Sequence, residues 1–270
     1  MAEATDTGPL PRRILILGGG TAGWMAACRF QQHWGPRGVS VTLVESAEIG
    51  IIGVGEGSTP QLKFFFDTLG IAESEWMPRC NATYKTGIEF VGWSDAPGYE
   101  RYFHPFQTDL DRFTAGKFFR QTQARRGGLD VDAHPDRYFV PTALARERKA
   151  PLTPPNFPFF VSYGYHFDAY LVGAHLREIA AKLGVERVEA TVASVDVDAG
   201  GLVDALVTSD GRRLEADLFV DASGFRATII EGALRERYLS FADNLFNDSA
   251  VVLPTPVPAA GPRWRPVRPR

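Results

Sequence analysis

A short stretch near the start of the chain restricts its fold more than any other. The apolar run Ile14-Leu15-Ile16-Leu17 ends in Gly18-Gly19-Gly20-Thr21-Ala22-Gly23, a G-x-G-x-x-G spacing, and the helix-forming segment Met25-Ala26-Ala27-Cys28-Arg29-Phe30 follows at once. Strand, tight turn and helix N-terminus in that order make a cradle for a diphosphate. The first glycine permits the turn, the second lets backbone approach the phosphates, and the third lets helix and strand pack closely. Exposed N–H groups and the positive end of the helix dipole then favour the anion. Gly18, Gly20, Thr21, Ala22 and Gly23 are therefore candidate cofactor-binding residues. A glycine turn joining an ordinary strand and helix would share the spacing, so the surroundings decide.

The second apolar run, Val39-Ser40-Val41-Thr42-Leu43-Val44-Glu45, reads as the next strand and closes on a carboxylate. An acidic residue at a strand end, about 20 residues or more past the glycines, suits a hydrogen bond to a ribose 2′-OH. Glu45 would also repel a 2′-phosphate, which points to FAD or NAD and away from NADP.

The 270 residues can hold one large domain, or one and a half, with ample apolar content for a core. A net charge of −3 argues against nucleic acid or an anionic membrane as the main partner. The segment Met1-Ala2-Glu3-Ala4-Thr5-Asp6-Thr7-Gly8 lacks the basic and apolar regions of a signal peptide. No run approaches the roughly 18 apolar residues of a membrane helix. Two cysteines, Cys28 and Cys80, do not make a disulfide scaffold and fit a reducing cytoplasm. His33, His104, His134 and His175 show no metal-ligand spacing, and there is no H-E-x-x-H, so no metal site is expected. Without a G-x-S-x-G, Ser58 and Ser223 read as turn residues and not as nucleophiles.

Beyond the opening β-α-β unit (13–17, 21–34, 39–45), residues 50–60 read as a glycine-rich loop and 61–69 and 73–81 as helices. Residues 88–120 mix aromatics with Gly, Pro and Asp. They read either as an irregular layer over a binding cleft or as a loop-rich edge of the core. An amphipathic helix is expected over 167–184, stopped by Gly184. The runs 185–197 and 202–208 read as a β-hairpin. Last, Ala216-Asp217-Leu218-Phe219-Val220-Asp221-Ala222-Ser223-Gly224 is a buried strand entering a second glycine turn. An acid and a glycine after a late buried strand suit an extended flavin, whereas a plain NAD dehydrogenase has no need of them. Asp221 and Gly224 thus move the choice to FAD, with a turn or N-cap role as the alternative for Asp221.

Several motifs now agree. Gly18-Gly19-Gly20-Thr21-Ala22-Gly23-Trp24, Gly53-Val54-Gly55-Glu56-Gly57-Ser58-Thr59-Pro60, Tyr84-Lys85-Thr86, Tyr165-His166-Phe167-Asp168, Asp221-Ala222-Ser223-Gly224-Phe225-Arg226 and Ser240–Val251 occur in this order. Together they resemble the flavin-dependent tryptophan halogenases, from about residue 12 to about residue 253. The resemblance implies an α/β fold: a Rossmann-like, three-layer FAD-binding domain over 12–253, with an incomplete aromatic-rich substrate module interleaved at 61–160. It implies that reduced FAD and O₂ form a C4a-hydroperoxide, that chloride or bromide converts this to hypohalous acid, and that a lysine receives the oxidant. Lys85 stands at that position. Burial would lower its pKa and leave a usable amine. Gly53, Val54 and Gly55 would belong to a strap along the flavin, and Val192 to a strand on the adenine side. His166, between Tyr165 and Phe167, reads as a hydrogen-bonded core residue.

The resemblance further implies FAD-dependent halogenation of a small aromatic substrate, tryptophan or another indole, with FADH₂ from a separate flavin reductase. Members of the family continue into a C-terminal part with a G-W-x-W-x-I-P signature, a catalytic glutamate and the halide-binding backbone. After Leu253 this chain instead has six prolines and four arginines in residues 254–270, a tail expected to be disordered. The chain therefore reads as truncated, with little or no turnover unless a separate C-terminal half is supplied. The rival readings are a flavin monooxygenase or other flavin oxidoreductase, and a non-catalytic FAD-binding fragment.

Overall fold

A computed structural model describes residues 10–49, 55–249 and 251. The strap residues Gly53 and Val54 and the tail 254–270 lie outside the described residues. In chain order the helices and strands are β1 (Arg13–Leu17), α1 (Thr21–Trp34), β2 (Ser40–Glu45), β3 (Gly55–Gly57), α2 (Gln61–Thr68), α3 (Glu73–Arg79), β4 (Thr83–Lys85), β5 (Gly87–Val91), β6 (Arg101–Pro105), α4 (Arg112–Arg126) and α5 (Val140–Arg146). There follow β7 (Gly164–Asp168), α6 (Ala169–Leu183), β8 (Glu186–Glu189), β9 (Val192–Val197), β10 (Val203–Thr208), β11 (Arg213–Glu215) and β12 (Leu218–Asp221). These elements form two units: Gly55–Asp168 is one, and the chain on either side of it makes the other.

The flanking unit is built on a parallel sheet of order β12-β1-β2-β8. Strands with both faces covered need continuous apolar runs, and Ile14, Leu15, Ile16, Val41, Leu43 and Val44 are all buried. Leu15, Leu17 and Val44 turn one way and pack with Leu206 and Ile229 under the antiparallel meander β9-β10-β11. By strand alternation Ile14, Ile16, Val41 and Leu43 face the other way, the side of α1 and α6. α1 and α6 pack on each other, with the Cys28 thiol donating to the Leu176 carbonyl at 3.5 Å. The layers are meander, parallel sheet and helix pair. β2 and β8 succeed β1 on one side and β12 lies on the other, so the strand order reverses at β1, where open α/β sheets bind ligands at the carboxyl ends of their strands.

The second unit, Gly55–Asp168, contains the aromatic-rich stretch 61–160. Its core is ring on ring: Trp76 stacks on Phe66 with centroids 4.2 Å apart and meets Tyr165 edge-on at 4.7 Å. Around it lie the antiparallel sheet β3-β7-β4 and the β5-β6 hairpin.

Three segments differ from the sequence reading. Residues 164–168 form β7, and the helix begins only at Ala169. The signal there has a period of two: Tyr165 and Phe167 are buried while His166 between them is exposed, so His166 is not a core residue. The run 185–197 is two strands in two sheets. β8 joins β2 in parallel, the chain crosses at Ala190-Thr191, and only β9 pairs with β10. With Val188 as its one apolar side chain, β8 carries little strand signal of its own. Residues 88–120 are also more regular than an irregular layer, because β5 and β6 pair with Phe90 stacked on Tyr102 and α4 follows.

Candidate active site

At the carboxyl end of β1 the turn is closed by backbone packing. Gly18 has a φ of +118°, and its N–H donates to the Val44 carbonyl at 2.9 Å. A Cβ on Gly18 would overlap the Ala222 carbonyl, and one on Gly23 would overlap the Gly18 carbonyl. Gly20 is different. Its backbone is ordinary extended chain (φ −71°, ψ 173°), and a Cβ there would meet no protein atom within 4 Å. Among the described residues nothing requires glycine at Gly20; the space beside it lies at the start of α1. That helix begins with no side-chain cap and no acidic residue in its first turn, so its leading N–H groups and dipole are presented to an anion. Thr21 Oγ1 donates to the Ala169 carbonyl at 3.3 Å and fixes α1 against the start of α6, while Ala22 lies exposed at the helix tip. These residues fit a diphosphate.

Glu45 ends β2 beside the same turn. Its carboxylate reaches over Gly19, where a Cβ would collide with Oε2, and Oε1 accepts from Arg187 Nε at 2.5 Å. Asp221 ends β12. Its Oδ1 accepts from the Ser223 N–H and hydroxyl (3.1 and 2.5 Å), and its Oδ2 from the N–H groups of Ile229 and Ile230 (2.7 and 3.1 Å). Desolvation acts to raise its pKa, but these four donors prevail and leave it below the usual carboxylate range. The side chain therefore shapes the second turn and the π-helical turn Thr228–Ala233 from within. Gly224 supplies a φ of +67° in that turn. Val192 opens β9 and packs against the Leu15–Leu206 cluster.

In the second unit Lys85 ends β4, opposite Gly164 of β7. Its Nζ lies 5.6 Å from the Phe106 ring centroid, and burial lowers its pKa below the ordinary lysine value. The missing side chain of Gly57 makes room for it: a Cβ there would sit 2.8 Å from Lys85 Nζ and 3.2 Å from His166 Nδ1. His166 is held below its ordinary pKa by desolvation and then by the Lys85 ammonium. A cavity of about 460 Å³ opens beside this pair, lined by Gly55, Glu56, Gly57, Asn81, His166, Phe167 and Asp168. Gly55, the described member of the expected strap, pairs with Asp168 and lines that cavity.

The tryptophan halogenase family model matches residues 13–267. The chain belongs to the tryptophan halogenase family. Two curated members are similar over nearly all of it. It is 36% identical to tryptophan 6-halogenase SttH of Streptomyces toxytricini, over 92% of this chain and 50% of that one. It is 37% identical to tryptophan 7-halogenase RebH of Lentzea aerocolonigenes, over 90% of this chain and 48% of that one. Among solved structures, Xcc4156, a flavin-dependent halogenase from Xanthomonas campestris, superposes with a TM-score of 0.70 at 41% identity, covering 84% of this chain and 45% of that one. The chain thus spans about half the length of the curated relatives it matches. Its fold is the Rossmann-like α/β fold of these halogenases.

One feature of the second unit is absent from the sequence reading. Glu73 accepts from three tyrosine hydroxyls: Tyr165 at 2.6 Å, Tyr163 at 2.8 Å and Tyr84 at 2.9 Å. All three phenols are raised above their ordinary pKa, by burial first and then by the Glu73 charge. The cluster ties α3 to β4 and β7, and its Tyr84 immediately precedes Lys85 in β4. Tyr165 in β7 and Tyr163 just before that strand lie two residues apart, which is the only local signal the sequence offers. Their shared partner about 90 residues away gives none.

Proposed function

We propose that this chain holds FAD at the β1–α1 turn and takes part in halogenating a small aromatic substrate, tryptophan or another indole, with Lys85 as the catalytic residue. Gly18, Gly20, Thr21, Ala22, Gly23 and Glu45 would hold the cofactor, and Asp221 and Gly224 would shape the neighbouring turn, with Val192 supporting the adenine side. The strap residues Gly53, Val54 and Gly55 would lie along the flavin. Reduced flavin, supplied by a separate reductase, would activate O₂, which is the oxidant that would convert chloride or bromide to hypohalous acid.

The observation that carries the reading is the setting of Lys85. Its amine is partly desolvated beside the Phe106 ring, with a lowered pKa, and its Nζ shares the space over Gly57 with the His166 imidazole. An amine that gives up its proton more easily than a solvated lysine can take hypohalous acid as a haloamine, or direct it by a hydrogen bond. Phe106 supplies an apolar wall at the same place. The reducing cytoplasm suits both free thiols, Cys28 and Cys80.

The test is an assay with flavin reductase, NADH, halide and tryptophan, read by mass spectrometry. It is run on the chain alone and with a polypeptide matching the remaining half of a relative. The expected result is halide-dependent product, chiefly in the complemented sample, abolished by Lys85→Ala while FAD binding survives. Hydroxylated product independent of halide would establish a monooxygenase instead, and undiminished halogenation by Lys85→Ala would remove the lysine from the mechanism.

A further inference from the structure

We infer that Arg187 is a positioning residue that aims the Glu45 carboxylate at the adenosine ribose. The inference rests on the FAD reading above. Glu45 and Arg187 lie on the neighbouring parallel strands β2 and β8, and Arg187 Nε donates to Glu45 Oε1 at 2.5 Å. The other end of the guanidinium, Nη2, donates to Glu189 Oε2 at 2.6 Å. Glu189 is the register partner of Glu45, so the planar fork is held at both ends across the strand pair. Arg177 of α6 adds a longer contact to Oε1 at 3.9 Å.

All of this engages one oxygen of Glu45. The other, Oε2, lies over Gly19, in the space a side chain there would fill. A ribose hydroxyl donates one proton and needs one fixed acceptor. Arg187 supplies that by spending Oε1 on itself and leaving Oε2 toward the glycine turn. The pair also settles a charge conflict. A bare carboxylate next to the Gly18–Gly23 cradle would repel the diphosphate that the α1 N-terminus attracts, and the guanidinium offsets it. Glu45 can then read the ribose without weakening the phosphate site.

Dissociation constants for FAD, ADP and 2′-deoxy-ADP, measured by calorimetry on the full chain, test this. The wild type should prefer ADP to its 2′-deoxy analogue. Arg187→Met should weaken FAD and ADP about tenfold and bring that preference close to one, and in a Glu45→Gln background it should cause no further loss. Arg187→Lys keeps the charge but not the fork and should fall between, which preserves the test should Arg187→Met fold poorly. Unchanged affinity and preference in Arg187→Met, or an equal loss with and without Glu45, would overturn the inference and leave the FAD reading standing. A wild-type chain that binds neither FAD nor ADP would overturn both.

Discussion

Replacing Gly20 by alanine separates folding from cofactor binding at the glycine turn. At Gly20 the backbone is already in a conformation any L-residue adopts, and the added methyl meets no protein atom within 4 Å. Two small effects then oppose each other: alanine is a poorer N-cap, and it loses less chain entropy on folding. The net change in stability should stay within about 1 kcal/mol. At Gly18 and Gly23 the same methyl would overlap backbone carbonyls, and Gly18 also has a φ of +118°. Backbone cannot yield as a side-chain end can, so Gly18→Ala and Gly23→Ala should each cost roughly 2–5 kcal/mol. FAD affinity should reverse the ranking of effects per unit of stability. With FAD held as proposed, the Gly20 methyl would stand in the path of the phosphates to the α1 N-terminus and should weaken binding at least about tenfold, or roughly 1.4 kcal/mol. Urea unfolding followed by circular dichroism gives the first quantity and flavin fluorescence titration the second. The reasoning fails if Gly20→Ala is as unstable as Gly18→Ala, or if it folds normally and binds FAD unchanged.

Other expectations follow from burial and charge. Cys28 and Cys80 are buried, with thiols pushed up to about 12 and about 11, so a disulfide reagent at pH 8 should label neither until the chain unfolds. Tyr163 and Tyr165 have folded pKa values raised above the unfolded value near 10, so their stabilising contribution is complete below that pH and is lost as pH rises past it. Between pH 10 and 11 the pair should withdraw about 2 kcal/mol, seen as tyrosinate absorbance appearing together with unfolding and not before it. Trp76→Ala removes a fully buried ring stacked on Phe66 and should cost about 3–5 kcal/mol by urea unfolding, while Trp76→Phe should cost clearly less. Glu73→Leu leaves three phenols without their acceptor and should destabilise the second unit more than Glu73→Gln, whose amide oxygen still accepts.

The β1–turn–α1 unit, the strand ending in Glu45 and the strand ending in Asp221 are legible in the sequence because each is written in adjacent residues. Apolar runs define the strands, and Gly18 and Gly23 stand where turn geometry and close backbone packing exclude a Cβ. Even there, a role can differ from a place: the Asp221 carboxylate is met by four donors of its own chain, which only the folded turn reveals. Tertiary structure alone decided the rest. β8 is a strand because β2 offers it an edge, and His166 lines a cavity because β7 pairs with β3 and β4. The Tyr165–Glu73 hydrogen bond spans 92 residues and the Arg187–Glu45 bond spans 142. Periodicity and propensity reach only a few residues along the chain. Which hydroxyl meets which carboxylate depends on how sheets and helices stack, and that is set by the burial of the whole.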